Sequence, residues 1–530
     1  MSAADAVVVG AGPNGLVAAN LLADAGWQVV VLEAGPSAGG AVRSDRGLDP
    51  AYVHDLCSAF YPLAAASPVI RRLRLEDHGL RWSRAPAPVA HPLADGRCAV
   101  LAADPAATAA SLERFAPGDG EAWLRLCRLW QRIGDDLVDC LFTPFPPVRA
   151  GGRLALRLGY GEGLRVARTM LLPARRLGEE EFAGAGGRLL IAGNALHADL
   201  APESALGGGF GWLMCMLGQT YGFPVPRGGA QALTDALVRR LTARGGVLRC
   251  GQEVAEVVVR GGRAVGVRTG DGTGVAARKA VLAAVPAPVL YERLLPREQV
   301  PDRVREDLRR FQWDFSTVKV DWALSRPIPW AADGPRTAGT VHLADGVDEL
   351  TLFAAQIAMR LVPSTPFAVL GQMTTADPSR SPEGTESAWA YTHVPQRIAG
   401  DAGGDGITGR WDEREKEAVA DRLERQVERY APGFRDCVRA RRVLAPPDLE
   451  RLDPALVGGA VNQGTTNLHQ QLVLRPLPGT GRPSTPIAGL YLASATAHPG
   501  GGVHGAPGAN AARTALRARR FAAPPRRRRA

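Results

Sequence analysis

The chain has 530 residues, 46% of them hydrophobic and 22% charged, a balance that excludes a disordered or fibrous protein and allows several folding units around a large core. Its net charge of +10 rests on arginines spread among acids, with lysine only at Lys279, Lys319 and Lys416. That scatter argues against a nucleic-acid partner, and the one basic run, Arg526–Arg529, reads as a solvated tail or as a contact for an anionic surface or partner. Seven cysteines stand singly, with no C-x-x-C pair, which excludes a redox dithiol or zinc knuckle and points to reduced thiols.

From the N-terminus, Val7-Val8-Val9 fits a buried parallel strand that runs into Gly10-Ala11-Gly12-Pro13-Asn14-Gly15. Helical spacing follows from Leu16 to Ala25, then Gly26, a second strand over Val29–Leu32, and Glu33. Each part suits a dinucleotide. Gly10 permits the tight turn, Gly12 lets backbone approach a pyrophosphate, and Gly15 lets the helix pack on the strand. The helix N-terminus, with Pro13 and Asn14 in its first turn, offers unpaired N–H groups to an anion. Glu33 is placed to accept from ribose hydroxyls. The strand pattern starts within five residues, leaving no room for a signal peptide, and no run nears the roughly 18 apolar residues of a membrane span. The expectation is a cytoplasmic protein, with or without peripheral membrane contact.

Residues 106–220 carry no nucleotide signature. Within them, 147–178 mix arginines with Leu, Val and Met at helical spacing. A basic amphipathic face on lipid and ordinary packing both fit, and Gly159, Gly161 and Gly163 weaken any single long helix. Residues 245–285 read as three strands separated by Gly-Gly and Asp-Gly turns, a small meander. Between 311 and 450 lie aromatic strands containing Trp313, Trp322, Trp330, Trp389 and Tyr391, which suit either a cavity roof or plain core. Lys319 stands in the strand-like run Ser316–Trp322. Near the end, a strand around Leu490–Leu492 leads through a glycine turn containing Gly500-Gly501-Gly502-Val503 into a helix from Ala509, with His498 and His504 on either side. No metal-ligand spacing occurs.

The N-terminal motif, "YVHDLCSAFYPLAAASP" (52–68), "YGFPVPRGGAQALTDAL" (221–237), "GGAVNQGTTNLHQ" (458–470) and "LYLASATAHPGGGVHGAPGANAA" (490–512) together resemble FAD oxidoreductases of the phytoene desaturase and amine oxidase type. The resemblance is nearest to the branch called pyridine nucleotide-disulfide oxidoreductase domain protein 2. It implies an α/β + β fold: a discontinuous Rossmann-type FAD-binding domain (1–105, 221–310, 451–520) with an inserted mixed-sheet substrate domain (106–220, 311–450) and a basic tail (521–530). It also implies that Ala34, Gly39, Gly40 and Arg43 continue the cofactor site, although Ser37 and Ala41 stand where the commonest form has arginines. The Val254 backbone would meet adenine, and Gly501, Gly502 and Val503 the flavin ring. Lys319 would bond through water to the flavin, or else stand at an exposed strand end; His498 and His504, flanking the glycine turn and so close to the ring, are either acid–base groups or satisfied by backbone. The activity implied is an FAD-dependent dehydrogenase, desaturase or oxidase taking a hydride from a largely apolar substrate. A single dinucleotide fingerprint makes oxygen or a quinone the expected acceptor. A redox-neutral isomerase and a non-catalytic prenyl-lipid carrier are the alternatives.

Overall fold

Alternate residues of the strand Ser2–Val9 serve two different cores, which is why its valines run without a polar break. Val8 packs with Leu16, Val17 and Leu22 of the helix Pro13–Asp24, whereas Val7 and Val9 face the opposite layer with Val257, Val267 and Leu290. Both faces are covered, as in a buried parallel sheet. The computed structural model describes residues 2–521. The arginine run 526–529 lies outside the described residues.

Two seven-stranded sheets organise the molecule. In the first, Ser2–Val9 lies between Val29–Leu32 and Gly274–Ala283, parallel to both. Val247–Arg249 extends one edge, and Leu490–Leu492 pairs with the end of Gly274–Ala283. The expected meander completes it, as Val254–Arg260, Arg263–Thr269 and Gly274–Ala283 turn at Gly261-Gly262 and Asp271-Gly272. This is the Rossmann-type half. The helix Ala506–Phe521 closes over it so tightly that a Cβ at Gly508 would lie 1.9 Å from the Asn14 carbonyl.

The second sheet runs Val438–Leu444, Ser316–Leu324, Glu386–Val394, Ala368–Gln372, Ala338–Leu343, Ala87–Pro92, Cys98–Leu101, antiparallel except where Ala338–Leu343 meets Ala87–Pro92. The last two strands fall inside 1–105, so the chain crosses to the substrate half before residue 87 and not at 105. Residues 106–220 contribute no strand to either sheet. They form helices, among them Asp119–Leu141, Ala185–Leu196 and Gly207–Tyr221, that cap the sheet around Trp123, Trp212 and Leu217. The segment 147–178 forms the helix Val148–Leu171, broken at Gly159 (φ 65°, ψ −177°), and the shorter Ala174–Glu181. No helix among the described residues is long and apolar enough to cross a membrane.

Candidate active site

One cavity of ≈ 740 Å³ runs from the N-terminal glycine turn to the second sheet, within the range usual for cofactor and ligand sites. Gly10, Gly12, Pro13, Asn14, Gly15, Glu33, Ala34, Gly40 and Val254 line one end. Gly501, Gly502, Val503, His498, His504 and Lys319 also line it. Two expected residues do not. Gly39 is packed against Arg43, Val42 and Thr234, with its N–H donated to the Ala11 carbonyl. Arg43 donates to the carbonyls of Gly40 and Leu452. They brace the loop from behind, because the guanidinium is consumed by backbone.

The local chemistry at the first end suits a dinucleotide. Gly10 turns at φ +95°, where a side chain would be strained, and a Cβ at Gly15 would lie 2.1 Å from the Gly10 carbonyl. The helix Pro13–Asp24 has Gly12 at its N-cap, no side-chain cap and no acid in its first turn, so its positive end is free for phosphate. Glu33 accepts from the N–H groups of Ala11 (2.7 Å) and Gly35 (2.8 Å), which fixes the carboxylate at the end of the second strand. Five residues along the cavity each carry a buried polar atom with no protein partner: Asn14 Oδ1, Thr340 Oγ1, Asn462 Nδ2, Gln463 Oε1 and His498 Nδ1. Unpaired buried polar atoms are costly. Strung along one cavity, they match an extended polar cofactor, and the residues present fit FAD.

At the far end the second sheet turns one face inward. Thr317, Lys319 and Asp321 sit opposite His393, Tyr391 and Trp389, which place their side chains on that same face. Trp389 and Tyr391 stack with centroids 5.9 Å apart and line the cavity. The indole has room only because residue 371 is glycine, whose Cβ would come within 2.3 Å of it. Trp322 and Trp330 belong to the core on the opposite face. The sequence offered roof or core for these aromatics, and the sheet divides them between the two.

Lys319 is 3% exposed, and its ammonium pairs with Asp321 beside the Trp389 ring, 5.9 Å from the centroid. Burial alone would raise Asp321, but Lys319, His54 and Arg442 outweigh it and hold the carboxyl below its usual value. The two histidines differ. His504 accepts the Ala506 N–H at Nδ1 (3.1 Å), so Nε2 carries the proton and donates to the Gly501 carbonyl (3.2 Å). Both its nitrogens are used by backbone. His498 donates from Nε2 to the Thr143 carbonyl (3.0 Å), which leaves the Nδ1 lone pair free. Burial lowers both to about 4, so both are neutral at pH 7. His504 shapes the turn, and only His498 keeps a group for chemistry.

Sequence reasoning missed Asn462, Gln463, Thr317 and Asp453 on the cavity wall. The first two lie in the 458–470 stretch that carried part of the resemblance, without a motif to mark their side chains.

A protein 30% identical to this chain, the mouse pyridine nucleotide-disulfide oxidoreductase domain-containing protein 2, aligns over 97% of this chain and 93% of its own length. The lycopene-forming phytoene desaturase of Pseudescherichia vulneris is 26% identical over 94% of this chain and 96% of its own. Among solved structures, an oxidoreductase from Methanosarcina mazei shares the fold with a TM-score of 0.63 at 15% identity, covering 97% of this chain and 99% of that one. A model of the flavin containing amine oxidoreductase family matches residues 14–515, and with that match, the long relatives and the cavity just described, the chain belongs to that family as an FAD-dependent oxidoreductase.

Proposed function

We propose that the protein is a dehydrogenase or desaturase that removes a hydride from a largely apolar substrate, with oxygen or a quinone as the final acceptor. The observation that carries this reading is the substrate end of the cavity, where Leu141, Leu200, Phe210, Leu213, Met214, Phe223 and Val369 form an apolar wall. Such a wall pairs with hydrocarbon and offers no carboxylate to an amine. That a similar chain bears the name phytoene desaturase supports the same substrate class.

The bound FAD supplies the two-electron acceptor. Gly12, Gly15 and the helix start would hold its pyrophosphate, Glu33 its ribose, and the 501–503 turn its ring. The apolar wall orients the substrate and excludes water. Trp389 and Tyr391 flank Lys319, whose ammonium holds a water or the oxygen that returns during reoxidation. His498 Nδ1 accepts a hydrogen bond within the cavity.

Substrate would arrive from lipid. The helix Val148–Leu171 leaves Leu156 88% and Tyr160 85% exposed, with Val148, Leu164 and Leu171 also exposed, while Met170 of the same helix lines the cavity. Arg149 and Arg165 interleave these side chains, a pattern suited to an anionic bilayer surface.

The test is anaerobic mixing of the yellow holoenzyme with phytoene in detergent, and separately with benzylamine, while the flavin absorbance is followed. Bleaching by the hydrocarbon is expected. Bleaching by the amine alone overturns the reading.

A further inference from the structure

Two polar groups interrupt the apolar wall of the substrate end. His197, at the C-terminal end of the helix Ala185–Leu196, lines the cavity with its ring edge-on to Phe223, centroids 6.2 Å apart. Thr340 stands in the strand Ala338–Leu343 opposite Gly371, and His342, two residues on, stands opposite Val369. Gly371 and Val369 are paired in turn with Trp389 and Tyr391. Thr340 and His342 therefore share the inward face with both aromatics, about 7 Å apart along the strand. Thr340 is 1% exposed and lines the cavity, and its Oγ1 has no partner among the described residues. Of the five unpaired atoms strung along the cavity, it alone belongs to the second sheet, which puts it on the substrate's side.

His197 and His342 fix each other's protons. Their Nε2 atoms lie 2.5 Å apart, so one donates and the other accepts. Burial lowers His197 to about 4 and holds His342 well below its usual value, so at pH 7 each ring is neutral and carries one proton. His342 Nδ1 is buried with no partner among the described residues, and helix backbone closes it in: a Cβ at Gly193 would come within 2.6 Å of it. A proton there would be an orphaned N–H, and buried orphan donors are rarer than under-used acceptors. The His342 proton therefore sits on Nε2 and is donated to His197 Nε2, which leaves His197 its proton on Nδ1. Among the described residues the His197 ring makes this one hydrogen bond. Because the residue is only partly buried where it lines the cavity, the Nδ1–H is open to a ligand.

We propose that His197 and Thr340 together bind an uncharged oxygen, a carbonyl or hydroxyl, carried by the otherwise apolar substrate. The site rests on the apolar-substrate reading above and narrows it to an oxygenated hydrocarbon. His197 Nδ1–H donates to the oxygen, and Thr340 Oγ1 donates to a carbonyl or accepts from a hydroxyl. Neither group is charged, so a carboxylate would lose its hydration without gaining a counter-ion from them. A pure hydrocarbon fills the same wall but leaves both groups unpaired, and it binds less tightly for that reason.

Holoenzyme reduced anaerobically with dithionite cannot take a hydride, which separates binding from turnover. Equilibrium dialysis against farnesol and against farnesene, each corrected for partition into detergent alone, compares one carbon skeleton with and without oxygen. Native enzyme should hold farnesol about tenfold more tightly, the yield of one or two net hydrogen bonds. The preference should fall close to unity in His197→Phe and by about threefold in Thr340→Val. Thr340→Val keeps the shape of the side chain, so it still decides if His197→Phe does not fold. Equal affinities in the native enzyme, or a preference that either folded variant keeps in full, overturns the oxygen site. Failure of the hydride-removing reading shows instead in the mixing with phytoene and benzylamine, whatever the affinity ratio.

Discussion

Replacing Lys319 with methionine keeps the bulk of the side chain and removes its charge, and the surrounding contacts set the cost. Stranding a buried charge costs about 3–5 kcal/mol. Asp321 would not be fully stranded, because Arg442 still donates to it from Nη2 (2.8 Å) and Nε (3.1 Å) while also holding Asp45. The expected loss is therefore about 1–3 kcal/mol. Its pH dependence follows from the sign of the Asp321 shift. A carboxyl held below its unfolded value stabilises above that value and loses the contribution as pH falls through the folded one. Losing Lys319 lifts the folded value, so the acid loss begins at higher pH in Lys319→Met. Adding Asp321→Asn should recover part of the stability, since the pair is coupled. In function, the variant should retain yellow FAD but show reoxidation slowed by about 100-fold or more in stopped-flow mixing with air, as expected for a group that positions the reacting water or oxygen. Native rates in both reduction and reoxidation would refute the reasoning and leave Lys319 as a structural partner of Asp321 alone.

Two neighbouring glycines should behave oppositely. A Cβ at Gly12 meets no protein atom within 4 Å, so Gly12→Ala should unfold like the native apoprotein yet bind FAD more than about tenfold more weakly by fluorescence titration, the methyl occupying space next to the helix start. Gly15→Ala should lower the melting temperature of the apoprotein itself. The thermal midpoint should fall between pH 6.5 and pH 5. Seven histidines, six of them buried (His54, His91, His342, His393, His498 and His504) and His197 partly so, are lowered and lose their stabilisation as pH drops below the unfolded value. They outnumber the four raised acids, Asp199, Asp314, Glu386 and Asp453, which act in the opposite sense; a flat or rising midpoint would contradict this. Leu156→Glu with Tyr160→Glu should leave flavin spectra and stability unchanged while abolishing flotation with phosphatidylcholine–phosphatidylserine vesicles; undiminished flotation would remove that helix from the lipid contact.

What could be read from the residues divides along the range of the interactions involved. The turn Gly10–Gly15 and its flanking strands are local: the glycines, the helix and Glu33 lie within one short stretch, and each has a requirement that only a few residue types meet. The meander is local in the same way. The crossing into the second sheet before residue 87 was not legible, because Ala87–Pro92 pairs with Ala338–Leu343, far away in the chain, and carries Cys98–Leu101 with it as a hairpin, and nothing short-range marks which sheet a strand joins. Arg43 looked like a ligand by position, yet its charge is consumed by the carbonyls of Gly40 and Leu452, the second of which is 409 residues distant.

The same distinction explains why the chemistry of the far end lay hidden. Thr317, Lys319, Tyr391 and Trp389 come from two strands far apart in the chain, and they meet only because antiparallel register sets Lys319 against Tyr391 and Thr317 against His393. Residues so far apart in the chain carry no shared periodic signal, and a one-residue slip of either strand would turn the row into the opposite core. Register, set by Val318, Val320, Trp322, Ala388 and Ala390 packing on the back of the sheet, therefore decides the polar face as well as the apolar one. Substitutions in that back layer that shift the strand should disturb Lys319, Thr317 and Trp389 together, whereas changes confined to the front face should act one residue at a time.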